Sequence, residues 1–144
     1  LQFTLPVNMT GGFVLVNGGD VKFGGDLNLA GGGLGGSGNV SFDSPTRTVF
    51  NDALVRPGTS PGVLSITGNY QQGSVGQLEI EVGGTAAGSR YDVLEVSGNV
   101  ALGGLLNVTS INSFAPNPSD VFTIVSAAGG VSGTFANTPG NILT

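Results

Sequence analysis

The sequence predicts an all-β protein that winds around its own core as a parallel β-helix, or β-solenoid, and three observations carry that expectation. Between Arg56 and Val108 the apolar residues keep to even numbers: Leu64, Ile66 and Tyr70, then Leu78, Ile80 and Val82, then Leu94, Val96, Val100, Leu102, Leu106 and Val108. Successive side chains of a strand point to opposite faces, so a single parity held this long keeps one face inside. The parity also survives Gly98 and the Gly103-Gly104 pair, as it does when short strands turn corners without flipping. Finally, Gly-Asn followed by Val or Tyr recurs at 38–40, 68–70 and 98–100, the even spacing that equivalent corners stacked in successive coils would give. A β-sandwich is the alternative, since Gly-rich strands at short spacing suit it as well. No window shows an apolar period of 3.6, and almost no helix is expected.

A chain of 144 residues is one domain's worth, and one solenoid domain, or a segment of a longer one, is expected across 1–144. Gly is the commonest residue at 27, without a Gly-X-Y period, while 39% of the chain is apolar and arranged at period two, so the glycines read as corners between packed strands. The formal net charge is −5, and the four basic residues Lys22, Arg47, Arg56 and Arg90 are scattered. That leaves no cationic footprint for a phosphate backbone, and nucleic acid is not an expected partner. No apolar run is long enough to span a bilayer and no basic amphipathic helix is present, so membrane insertion by this segment is not expected. Cysteine is absent, which excludes disulfides and thiolate metal sites and accords with export. The chain opens at Leu1 without a charged leader, and is read as a segment of something longer rather than as the product of a removed signal peptide.

Taken in order, residues 1–12 place Leu1, Phe3, Leu5 and Val7 on one face of a strand that Pro6 confines to an edge, because proline cannot donate to a ladder. Phe3, Leu5 and Val7 are therefore candidates for assembly by strand addition. Residues 13–55 read as Gly-rich coils. Their apolar parity is first odd, with Phe13, Leu15, Val21, Phe23, Leu27 and Leu29, and turns even at Val40 and Phe42, a change that needs a bulge near Gly31 to Gly38. Residues 56–136 hold the long even run, interrupted by a Pro-rich loop at 112–120 and resumed at Phe122-Thr123-Ile124-Val125. Residues 137–144 form a polar tail with Ile142-Leu143 near its end. The expected core is Leu64, Ile66, Leu78, Ile80, Val82, Leu94, Val96, Val100, Leu102, Leu106, Val108, Phe122 and Ile124.

The run Pro57-Gly58-Thr59-Ser60-Pro61-Gly62-Val63-Leu64-Ser65-Ile66-Thr67-Gly68-Asn69-Tyr70, followed by Leu78 to Gly84, Tyr91 to Val96 and Ala101-Leu102-Gly103-Gly104, resembles a repeat region of bacterial autotransporter-type passenger proteins. Phe122 to Val125 and Val131-Ser132-Gly133-Thr134-Phe135 fit the same pattern, so the resemblance covers about residues 56–136. It implies a right-handed parallel β-helix at the cell surface, in large proteins used as adhesins or stalks. Pro57, Gly58, Pro61, Gly62, Gly68, Gly98, Gly103 and Gly104 are then structural corner residues.

The chain has no His and no Cys, which removes the usual general base, thiol nucleophile and most transition-metal ligands, and no catalytic, cofactor or metal site is expected. Glu79 and Glu81 alternate with Leu78, Ile80 and Val82 and read as a solvated pair on the outer face rather than an acid and base. Asp92 shares the inward parity of Leu94 and Val96, and a buried carboxylate must be paired or hydrogen-bonded. Either it binds a cation, or it accepts bonds from turn amides or pairs with Arg90 or Arg56. Gly31 to Gly38 has the glycines of a calcium-binding β-roll without its Asp, and calcium is not expected. Sequons at Asn8, Asn39 and Asn107 would stay bare in a bacterial protein.

The expected function is a non-catalytic structural module of an extracellular bacterial surface protein: a rigid stalk, an adhesin scaffold or a unit that stacks on a longer chain or on copies of itself. A carbohydrate-binding module, with a surface glycan held by loops 43–48 and 112–120, is the alternative, although Tyr70 and Tyr91 are the only tyrosines and Trp is absent. A fragment of a β-helix enzyme acting on polysaccharides is the third reading.

Overall fold

Thirteen strands and no helix make up the computed structural model, which describes residues 1–138. They are β1 (Gln2–Phe3), β2 (Val7–Phe23), β3 (Leu27–Phe42), β4 (Thr48–Asn51), β5 (Leu54–Pro57), β6 (Val63–Ile66), β7 (Asn69–Gln72), β8 (Gln77–Val82), β9 (Val93–Val96), β10 (Asn99–Leu102), β11 (Leu105–Ser110), β12 (Val125–Ala127) and β13 (Gly130–Gly133). Every pairing between these strands is parallel, whereas a sandwich of this size is built from antiparallel sheets.

The pairings fall into three ladders. The first joins residues 7–9 of β2, 27–29 of β3, β4, β7, β10 and β13. The second joins 13–17 of β2, 33–35 of β3, β5, β8 and β11. The third joins β1, 20–23 of β2, 38–40 of β3, β6, β9 and β12. From β1 onward the chain visits the third, first and second ladders in unchanging order. Each pass lengthens along the chain: Phe3 lies opposite Phe23, 20 residues on, and Tyr70 opposite Val100, 30 residues on.

Alternation sets the core. In β8 Leu78, Ile80 and Val82 are buried and Gln77, Glu79 and Glu81 face out, and β6, β7, β9 and β10 continue the same parity. Of the expected core, ten residues are buried, while Leu106 and Phe122 are only half-buried against it. Val108 is a correction, being 57% exposed. It keeps its parity opposite Ile80, but β11 pairs with β8 alone, so no described strand covers it. Strand β12 begins at Val125 rather than Phe122, and Ile124 and Val125 are both buried, which breaks the alternation there.

The N-terminal third departs further from expectation. Residues 1–12 are not one strand: β1 ends at Phe3, a bend follows, and Leu5 is 71% exposed while Phe3 stacks on Phe23 with ring centroids 5.0 Å apart. In β2 the inward residues near the middle are Val14 and Val16, and Phe13 and Leu15 face out. Register shifts flank that stretch, at Met9/Thr10, Thr10/Phe13 and Asn17/Asp20. Each extra residue inverts the parity, so odd Val21 and Phe23 are inward again.

Candidate functional site

The buried polar groups of the described core are Asp92, Asn51 and Gln72. Asp92 stands just before β9, where the turn after β5 and the middle of β8 converge. Its Oδ1 accepts the Gly62 N–H at 2.9 Å and its Oδ2 accepts the Glu81 N–H at 2.8 Å, so one carboxylate joins three segments. Burial pushes its pKa up from the ordinary aspartate value; the two amide bonds pull the other way, Glu81's charge raises it and Arg56's lowers it, and burial is the largest effect. Neither Arg56 nor Arg90 forms an ion pair with Asp92. Gly58, at φ 89, passes so close that any β-carbon would run into the Asp92 carboxylate, which explains why the corner Pro57-Gly58 to Pro61-Gly62 takes glycine there. Ser60, between them, holds φ 82.

Asn51 and Gln72 form a second buried knot with Tyr70. Asn51 Nδ2 donates to the Tyr70 hydroxyl at 2.9 Å and to the Gln77 carbonyl at 3.0 Å, while the Tyr70 hydroxyl donates to Gln72 Oε1 at 2.7 Å. Gln72 Nε2 reaches the carbonyls of Gly103 at 2.8 Å and Leu105 at 3.0 Å. Corners of three successive passes are thereby tied through side chains, and Tyr70 is buried, which pushes its phenol pKa up. No polar side-chain atom buried in the described residues lacks a partner. Sequence reading passed over Asn51 and Gln72; the signal was their parity, which matches inward Val49 and Tyr70.

Gly68 and Gly98 sit one above the other: the Gly98 N–H donates to the Gly68 carbonyl at 2.8 Å, and the Gly129 N–H to the Gly98 carbonyl at 2.8 Å. Asn69 Oδ1 accepts the Asn99 N–H at 2.8 Å. Gly38 does not belong to this stack, because 38–40 pairs with Leu64, Ser65 and Ile66 in the third ladder. The recurrence at 38–40 is therefore a coincidence of letters, and the third member of the stack is Gly129-Gly130. Gly103 and Gly104 form the corner before β11, Gly104 at φ 61.

The surface groups are separate. Glu79 and Glu81 face outward and are half-buried, and Glu79 lies 3.7 Å from Arg56 NH1. Loop 43–48 carries an exposed Arg47 to Asp43 ion pair at 2.8 Å, whose guanidinium bond holds the Asp43 carboxyl below its ordinary value. Tyr70 and Tyr91 are buried, so neither offers a ring to a surface ligand. The sequon asparagines face neighbouring passes, Asn8 bonded to Asn28, Asn39 to Asp20 and Asn107 to Gln77. Phe3 and Val7 are half-buried and Leu5 exposed at the outer edge of β2; Ile142-Leu143 of the tail lie outside the described residues. Among the described residues no His, Cys, Asp and Glu cluster could hold a metal ion, and no helix is long and apolar enough to cross a membrane.

Comparison of the chain with protein-family models, with curated proteins and with solved structures finds no match.

Proposed function

We propose that this chain is a right-handed parallel β-helix serving as a non-catalytic structural module of an extracellular bacterial surface protein, a rigid stalk or scaffold akin to autotransporter passengers. The observation that carries the reading is the unchanging order in which the chain visits three parallel ladders, since a chain that does so winds around one axis. Such winding gives each interior strand partners on both sides, and the buried knots at Asp92 and at Asn51, Tyr70 and Gln72 hold its corners, so local opening is costly. Stiffness and resistance to proteases follow.

Support for stacking on a longer chain or on further copies comes from the surface. Leu1, Leu5, Phe13 and Leu15 on the first pass, and Leu105, Val108, Val121 and Val131 on the last, are exposed, and strand edges left open are templates for pairing. Limited proteolysis with subtilisin, read by mass spectrometry, tests the scaffold reading. First cuts are expected in loops 84–90 and 111–123, with the ladders intact; first cuts inside β6 to β10 would contradict it.

A further inference from the structure

We propose that the outward cleft beside Phe13 binds one unit of a neutral saccharide. The cleft, of about 250 Å³, lies on the outer face of the second ladder, where four passes meet: Phe13 and Leu15 of β2, Arg56 of β5, Thr59 and Ser60 of the turn that follows, and Glu81 of β8.

Phe13 is on the surface because of what lies beneath it. It stands opposite Gly33, and a β-carbon at Gly33 would come within 2.7 Å of the Phe13 Cε2, one at Gly35 within 2.9 Å of Cζ. The two missing side chains leave a bed in which the ring lies against the outer face of the sheet, 41% exposed. Arg56 closes one rim, its guanidinium carbon 5.3 Å from the ring centroid and held toward Glu79 at 3.7 Å. The opposite polar groups have little else to do. Among the described residues the Glu81 carboxylate and the Ser60 hydroxyl make no hydrogen bond, and Thr59 meets only Ser37, at 3.4 Å. Ser60 is also held at φ 82, a backbone region that residues other than glycine rarely occupy and that concentrates at ligand sites.

An apolar ring face ringed by unused carboxylate, hydroxyl and guanidinium groups matches the chemistry of a pyranose, whose C–H face stacks on aromatics while its hydroxyls need acceptors and donors. Small-molecule pockets start near ~300 Å³, so this one takes a single ring and leaves the rest of an oligosaccharide outside. Glu79 and Glu81 outnumber Arg56, and a carboxylated or phosphorylated saccharide is repelled. The site is independent of the scaffold reading, since it needs only the packing of these strands.

The test titrates the isotope-labelled full chain with maltotriose, cellotriose and chitotriose, and with trigalacturonate as the acidic control, following backbone amides by NMR. The expected result is that at least one neutral trimer shifts the amides of 13–15, 56–60 and 81 and trigalacturonate does not. Glu81→Ala and Phe13→Leu, each with an otherwise unchanged spectrum, then weaken binding about tenfold. The proposal is overturned if no neutral trimer shifts those amides, if the shifts fall elsewhere, or if both variants bind as the wild type does.

Discussion

Asp92 reaches three segments with two oxygens, and that geometry makes it the residue whose removal the fold should feel most locally. Asp92→Ala leaves the Gly62 and Glu81 N–H groups buried without acceptors, and a loss of about 3 kcal/mol is expected in urea unfolding. The pH dependence has a definite sign. Its pKa is raised in the folded chain, so the folded state binds the proton more readily than the unfolded one. The stability tied to that proton is fully present below the ordinary value of 3.8 and is lost as pH rises through the folded pKa. Relative to Asp92→Asn, which cannot ionise, the wild type should therefore lose unfolding free energy as pH climbs from about 3 to about 7. A difference that grows in the opposite direction would show that the two amide bonds, and not burial, dominate the carboxylate. Leu1, Glu81 and Arg56 charges are common to both proteins, which keeps the comparison on the one group.

Among the elements, position in the ladder decides what a side chain contributes. Ile80 of β8 is flanked by other strands and buried, while Val108, opposite it on β11, has the same parity and no cover. Ile80→Ala is expected to cost about 2–4 kcal/mol and Val108→Thr less than about 0.5 kcal/mol by thermal or urea unfolding. Equal costs would mean that β11 is covered in solution. The same contrast explains what could be read in advance. Parity alone marked Leu64, Leu78, Ile80, Leu94 and Val100 as inward, because alternation is a local property that neighbouring strands need not reveal. Parity could not say that Val108 lies on the last strand of its ladder, since that depends on which strands pair. It also failed at Phe13 and Leu15, where Gly11-Gly12 and Gly18-Gly19 allow register shifts that no letter specifies in size. The candidate site was less legible still: the outward ring of Phe13 depends on the absence of side chains at Gly33 and Gly35, twenty residues away in sequence and adjacent in space.

At the scale of the whole molecule, the exposed apolar residues of the first and last passes should act together. If end-to-end stacking operates, the mass measured by light scattering should rise with protein concentration, and Val108→Glu should abolish the rise without lowering the unfolding temperature. A wild type of constant monomer mass would remove the stacking reading and leave the ladders untouched. Asn137 already closes part of one edge, its side chain exchanging bonds of 3.1 and 2.8 Å with the backbone of Leu106. Association through β11 must therefore displace it or use the rest of the strand.

The central claim is that passes 30 residues apart lie side by side in parallel, and the absence of cysteine allows it to be tested directly. Ser65 faces Glu95, and Gln71 faces Ala101, at outward positions of adjacent strands. Parallel neighbours are about 4.8 Å apart, within the reach of a disulfide. The double variants Ser65→Cys with Glu95→Cys, and Gln71→Cys with Ala101→Cys, should each form an intramolecular disulfide on mild oxidation of the native protein, and Ser65→Cys with Ala101→Cys should not. Folded protein in which the two facing pairs stay reduced while the mismatched pair closes would contradict the parallel stacking.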